Sequence, residues 1–256
     1  MKAAIDKAAV RGAFAAAAAG YDRAAGLQKQ VATELAQVIS RLDIADHAEI
    51  LEIGCGTGFL NQALCQFRPD AHWLCTDLAP AMVARTRAAA PKHGRFVAMD
   101  GERPCIAPGP KFDLICSSLA VQWFTNPAAS FADLAGLLKP GGYLVFSTLG
   151  CRSFCEWRAL LAADKLSAGT PEYPDATGWG SKLPATGTTT ISEKDHLVTY
   201  PDTLQFLRDL KNIGAGTPRQ DHQPLNAGQL RRALREIAGS FVTTYHIVTI
   251  IHRTGA

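Results

Sequence analysis

The stretch LEIGCGTGFL, residues 51–60, places glycines at 54, 56 and 58 directly after an apolar run. Glycine weakens the interior of a strand or helix, so three in five positions mark a turn where backbone approaches something closely. EILEI (49–53) before them reads as a short strand, and Phe59–Phe67 after them as a helix. A glycine-rich turn between the first strand and first helix is where a doubly wound α/β sheet holds an anionic or nucleotide-bearing ligand. The dinucleotide spacing is GxGxxG and the phosphate loop is GxxxxGK[ST]. This chain has GxGxG, which argues against a nicotinamide cofactor and excludes a P-loop.

Working outward, the pattern alternates. Residues 72–76 form an expected strand ending at Asp77, Pro80–Ala90 a helix, 95–99 a strand ending at Asp100, and FDLICS (112–117) a nearly continuous apolar strand. Asn126–Leu138 is an expected helix closed by the turn Lys139-Pro140-Gly141-Gly142, and YLVFSTL (143–149) the next strand. Strands alternating with helices make a mostly parallel α/β sheet. Upstream, residues 5–41 read as two helices broken near Gly20–Tyr21. Downstream, Phe154–Leu166 is helical in pattern. The Gly/Pro/Thr/Ser-rich 167–195 is expected to be a long loop or lid, followed by a strand at 196–200, helices at 202–213 and 226–239, and a strand at 241–251. The expected organisation is one domain over 1–256: a helical cap (1–45), a ligand-binding core (49–150), a lid insertion (151–195) and a C-terminal part of the sheet (196–256).

Composition fits a globular protein with a sizeable core, with 47% hydrophobic and 19% charged residues in 256. The net charge of +3 gives no case for bulk nucleic-acid binding. Seven cysteines without CxxC or zinc-ligand spacing read as reduced thiols of a cytoplasmic protein, and no metal is expected. The alanine run Ala15–Ala19 reads as soluble helix rather than signal peptide, and no segment approaches the ~20 apolar residues of a membrane span.

Two acids extend the glycine signal. Asp77, nineteen residues beyond Gly58, ends the second strand, where a carboxylate accepts ribose hydroxyls or caps the next helix. Asp100, before Gly101, ends the third, where it meets an adenine amino group or shapes a turn. E-x-G-x-G-x-G, an acid after the second strand, D-G after the third and L-K-P-G-G before the fifth together resemble the class I S-adenosylmethionine-dependent methyltransferases, over roughly 49–150. The resemblance implies a Rossmann-like seven-stranded sheet of order 3-2-1-4-5-7-6, the last strand antiparallel, helices on both faces and an added helical lid. It further implies that Gly54–Gly58 lie along the amino-acid part of S-adenosyl-L-methionine, Asp77 on its ribose, and Asp100 and Gly101 by its adenine. Glu52, Cys55, Leu78, Met82, Ser117 and Leu119 complete the implied cofactor set.

Outside that core, residues 10–30 (VRGAFAAAAAGYDRAAGLQKQ), SSLAVQWFTN (117–126), STLGCRSFCEWR (147–158), LRDLKNIGA (207–215), LNAGQLRRAL (225–234) and TYHIVTIIHR (244–253) resemble the malonyl-acyl-carrier-protein O-methyltransferases of biotin synthesis. That family methylates the free carboxylate of a malonyl thioester on acyl-carrier protein, leaving S-adenosyl-L-homocysteine. A carboxylate of pKa ~4 is already ionised at neutral pH, so no catalytic acid or base is nominated. Substrate candidates are Tyr21 and Gln28 in the roof, Gln122 and Trp123 after the fourth strand (Trp123 equally suits core packing), and Arg152 or Arg158 for the malonyl carboxylate. Arg231, Arg232 and Arg235, with Arg208 and Lys211, form either a docking patch for the acidic carrier or a solvated face. Arg219 is a further docking candidate. The competing expectations are a methyltransferase for a free small acid or quinone precursor, and a non-catalytic cofactor-binding protein. A nucleic-acid methyltransferase fits less well, because SSLA stands where an NPPY-like stretch would follow the fourth strand.

Overall fold

The computed structural model describes residues 5–88, 94–109, 111–215, 225–235 and 239–255. A seven-stranded sheet runs β3-β2-β1-β4-β5-β7-β6. Its strands are β1 (Glu49–Ile53), β2 (His72–Asp77), β3 (Gly94–Ala98), β4 (Phe112–Ser118), β5 (Leu138–Leu149), β6 (Thr188–Tyr200) and β7 (Phe241–Arg253). β1 to β5 are parallel; β7 runs antiparallel to β5, and β6 antiparallel to β7. The order and the reversed last strand are as the glycine-motif resemblance implied.

Period-two alternation sends neighbouring apolar residues to opposite faces. Ile50, Leu114, Cys116 and Val145 pack on one face with Leu35 and Ile39 of α3 (Gly26–Ser40) and Leu60 and Leu64 of α4 (Phe59–Cys65). Leu51, Ile115, Leu144 and Phe146 pack on the other with Phe131 and Leu134 of α6 (Pro127–Ala135) and Trp179 of α8 (Ala176–Gly180). α5 (Pro80–Ala88) follows β2, and α1 (Lys7–Ala17) lies against it. A third core joins β7 to α7 (Cys155–Ala163), α9 (Thr203–Asn212) and α10 (Ala227–Arg235).

Three expectations are corrected. The Lys139–Gly142 turn is not separate: β5 begins at Leu138, and its register to β4 jumps from Phe112↔Leu138 to Leu114↔Tyr143, so the Pro-Gly-Gly residues form a bulge within the strand. Residues 188–195 are not loop or lid but the first part of β6. This is an edge strand whose Thr and charged residues are mostly exposed, so it lacks the apolar alternation that marks a strand. The amino-terminal cap has a second break, because a short helix α2 (Tyr21–Ala24) separates α1 from α3. The ends of the helices expected at Pro80–Ala90 and 226–239 fall partly outside the described residues.

All seven cysteines are unpaired. Among the described residues, no helix is long and apolar enough to cross a membrane.

Candidate functional site

The carboxyl ends of β1, β2, β3 and β4 open on one crevice, as the topology requires where the sheet order reverses beside β1. Gly54, Gly56 and Gly58 all have left-handed φ, +67°, +54° and +98°. Their surroundings differ. A Cβ on Gly54 would overlap Ala120 Cβ, and one on Gly58 would come within 2.9 Å of the Gln62 amide. A Cβ on Gly56 would meet no protein atom within 4 Å. Gly54 is therefore a packing glycine, whereas Gly56 borders open space. Gly101 also belongs to packing, its missing side chain replaced by Ile53 Cγ2.

Asp77 secures this loop. Gly56 N–H donates to its Oδ2 at 2.9 Å and Ala79 N–H to its Oδ1 at 2.8 Å. Burial raises the Asp77 pKa, against the lowering effect of these two donors. Thr86 Oγ1 on α5 donates to the Gly56 carbonyl at 2.7 Å, a second anchor that the sequence motif does not reveal. Cys55 N–H bonds Thr76 O at 2.9 Å. Glu52 is 1% exposed and stands behind the loop rather than in the crevice, accepting from Asn61 Nδ2 at 2.8 Å. Burial, with a further push from the charge of Asp77, carries its pKa up to about 7 despite hydrogen bonds from Asn61 and Cys75. Ser117 is likewise interior, its hydroxyl donating to Ile53 O at 2.8 Å. Met82 is fully buried with Ala18 and Ala79, against Phe14 and Tyr21, where α1 crosses α5; Leu78 is half-buried. Two buried polar atoms have no partner here: Thr57 Oγ1, between the second and third glycines, and Asn61 Oδ1. The unfilled flank of Gly56 and the orphan hydroxyl of Thr57 fit a polar ligand lying along the loop, whereas Asn61 Oδ1 lies beneath Gly58.

The roof is latched by ionic contacts that sequence reasoning missed. Lys7 Nζ on α1 lies 3.0 Å from Asp100 Oδ1 and 2.7 Å from Glu102 Oε2, with the Phe124 ring centroid 5.3 Å away. Glu102 also accepts from Thr125 N–H, Thr125 Oγ1 and Asn126 N–H. Burial would raise its pKa, but these donors outweigh burial and bring it down to about 2. A depressed carboxylate stabilises fully above its unfolded pKa of 4.5, and that contribution fades as pH falls toward 2. Acidification across that window is expected to free α1, and Lys7→Met to do so at neutral pH. Faster amide exchange in residues 7–17, with the sheet still protected, is the expected result for both.

Beneath the roof lies a cavity of about 1170 Å³. Tyr21, Gln28, Leu119, Gln122 and Trp123 all line it, so the structure brings together candidates from two separate segments. Tyr21 stands on the side of the glycine loop. Its ring lies 6.2 Å from that of Phe59, and burial together with the charges of Asp77 and Asp22 raises its pKa, so it is a neutral hydroxyl. Leu119 holds a left-handed φ of +51° at the end of β4, a strained conformation of the kind found at binding clefts. Trp123 is 8% exposed and meets Phe14 edge-on at 5.9 Å, so it is both packing and cavity wall. Gln122 turns its amide inward, donating to Leu119 O at 2.6 Å and accepting from Thr148 Oγ1 at 3.4 Å.

The two arginines expected at the substrate carboxylate are elsewhere. Arg152 is an exposed ion-pair partner of Glu193 (3.0 Å) and Asp195 (3.1 Å) on β6. Arg158 donates to the Cys151 carbonyl at 2.6 Å and to Ser153 O, closing the turn before α7. Neither lines the cavity. Arg152 is satisfied by carboxylates of the edge strand β6, and Arg158 by backbone carbonyls of its own turn. Among the described residues the cations that line it are Arg23 and Lys211, with the carboxylate Asp209 and the orphan hydroxyl of Thr170 in the loop after α7.

Comparison with known proteins places this architecture. Residues 51–146 match the methyltransferase domain family. An S-adenosylmethionine-dependent methyltransferase of known structure from Mesorhizobium loti superimposes with a TM-score of 0.52 at 20% identity, covering 87% of this chain and 98% of that one. The chain is 43% identical over 224 residues to the biotin biosynthesis bifunctional protein BioCD of Bordetella avium, matching 87% of its own length but only 47% of that longer protein. It is 37% identical over 238 residues to the malonyl-[acyl-carrier protein] O-methyltransferase of Magnetococcus marinus, covering 90% of this chain and 87% of that one. With 37% identity over most of the length of both chains, the chain belongs to the malonyl-[acyl-carrier protein] O-methyltransferase family.

Proposed function

We propose that this protein transfers a methyl group from S-adenosyl-L-methionine to the free carboxylate of malonyl-acyl-carrier protein, in the biotin pathway. The observation that carries this is Tyr21, which lines the large cavity and also feels the charge of Asp77, the carboxylate that anchors the glycine loop. When bound, the cofactor supplies a methyl carbon activated by its sulfonium. Gly56, Thr57, Asp77 and Asp100 are the residues we assign to hold it.

The chain's own part is to bind, orient and exclude water. The malonyl carboxylate is ionised at neutral pH, so no side chain need remove a proton from it. Tyr21, kept neutral by burial and neighbouring acids, is suited to donate a hydrogen bond to that carboxylate, with Gln28 beside it. Phe14, Trp123, Leu149 and Trp157 give the inner cavity apolar walls, which suit a site that excludes water once substrate fills it and holds the reacting atoms at about 3–3.5 Å. Neither Arg152 nor Arg158 has a part in this assignment.

The partner is an acidic carrier protein. Arg231 and Arg232 on α10 are exposed, Arg232 also pairing with Asp164 at 2.9 Å, and Arg208 is exposed on the neighbouring α9. The Arg235 side chain and Arg219 lie outside the described residues. Charge-steered docking is screened by salt. Rising salt is expected to increase the apparent KM for malonyl carrier protein several-fold and to leave a small malonyl thioester almost unaffected. Arg231→Ala with Arg232→Ala should reproduce the effect of salt. Equal salt sensitivity of both substrates would reject carrier docking and favour a free small acid as substrate.

A further inference from the structure

We propose that Arg23 and Lys211 form a phosphate-recognition site at the mouth of the cavity, taking the phosphate of the pantetheine arm that carries the malonyl group. The inference rests on the function proposed above. Arg23 lies in the last turn of α2 and Lys211 in that of α9, and these two helices are in contact. Both side chains line the cavity, yet both residues are exposed, which puts them at its rim. Among the described residues neither side chain has a hydrogen-bond or ion-pair partner.

The nearby acids are otherwise engaged. Asp22, next to Arg23, pairs with Arg85 at 2.8 Å. Asp209, two residues before Lys211, accepts from Gln205 Nε2 at 2.8 Å, and its charge is felt by Tyr200 and Tyr245, which are buried. Asp209 thus faces the inner wall, and the rim is left with net positive charge. A guanidinium fork and an ammonium flanking one opening suit a phosphate, which accepts several charge-assisted hydrogen bonds at once.

Cavity size supports the same ligand. Pockets for drug-sized molecules run about 300–1,000 Å³, so a space of about 1170 Å³ far exceeds what a malonyl group fills. Between rim and crevice the wall is largely apolar, with Leu207, Leu210, Leu225 and Leu230 on the side of α9 and α10. The flexible pantetheine chain fits that stretch. Its phosphate then stays in the wet, cationic mouth while the malonyl end reaches Tyr21.

The phosphate has two sources, the carrier-bound diester and a free phosphopantetheine. The test therefore compares malonyl-pantetheine, malonyl-phosphopantetheine and malonyl carrier protein as substrates of the wild type and of Arg23→Ala/Lys211→Ala. The wild type is expected to show a kcat/KM at least about tenfold higher with the phosphate than without, the usual effect of a charge-assisted hydrogen bond. In the double variant the ratio is expected to approach one, with Arg23→Lys intermediate. A carrier preference that survives in the double variant while the phosphopantetheine preference is lost assigns the site to the free molecule. Calorimetry with unacylated phosphopantetheine gives an arm independent of turnover: binding to the wild type and not to the double variant. Equal treatment of the phosphorylated and plain thioesters by the wild type would overturn the inference. So would equal losses on both in the double variant. Failure to methylate any thioester, with phosphopantetheine binding intact, would instead reject the proposed reaction.

Discussion

Gly56→Val abolishes measurable binding of S-adenosyl-L-methionine while the chain still folds. The apo protein has room for the new side chain, because a Cβ there meets no protein atom within 4 Å. The residue must keep a φ of +54°, and left-handed backbone costs an L-residue roughly 1–2 kcal/mol. For a domain of this size, that lowers the melting temperature by a few degrees without unfolding it. The branched side chain then occupies the flank that we assign to the ligand. Forcing carbon into filled space costs about 1–3 kcal/mol, and the lost backbone approach adds to it. The expected fall in affinity is about a hundredfold or more. Gly54→Val is the contrasting case: it collides with Ala120 and should fail to fold. A Gly56→Val chain that binds with wild-type affinity would remove the cofactor from this loop.

Asp77→Ala has the next largest expected effect. Its carboxylate receives two backbone N–H bonds, one from the glycine loop and one from the start of α5. Hydrogen bonds to a charged group are worth about 1.5–3 kcal/mol each, so the loop loosens and the proposed ribose contact is lost together. Affinity by calorimetry should drop at least about tenfold to a hundredfold. Asp77→Asn retains the acceptor for Ala79 N–H and should fall between. A lowered melting temperature with unchanged affinity would leave Asp77 as a loop anchor alone.

These two variants show how far the sequence could be read. The alternating strands gave a mostly parallel sheet but not its order, which was legible only through the resemblance that GxGxG and Asp77 carry. The separate roles of the glycines were not legible. Whether a missing Cβ faces Ala120, Ile53 or open space depends on packing between β1, β3 and β4, remote in sequence. Edge strand β6 was misread at 188–195 for a related reason. Its polar residues suit an exposed edge and carry no hydrophobic period. That strand in turn supplies Glu193 and Asp195, which draw Arg152 away from the substrate. Lys7, Glu102 and Arg23 escaped notice, and Lys211 was read only as part of a docking patch, because lone charges look like solvated surface until their three-dimensional neighbours are known. Trp123 lines the cavity because it follows β4, whose end the topology directs there; Tyr21, in the amino-terminal cap, was suggested only by the family resemblance.

Intact-mass spectrometry of malonyl carrier protein, after incubation with this protein and S-adenosyl-L-methionine, tests the central claim. Acetyl carrier protein serves as the control lacking a free carboxylate. We expect the malonyl carrier to gain the mass of one methyl group, on its acyl arm, as an ester that mild base removes, and the acetyl carrier to stay unchanged. A malonyl carrier whose mass does not change, while the protein binds the cofactor and is folded, would contradict the account. So would a methyl group found on the carrier polypeptide or on both carriers alike.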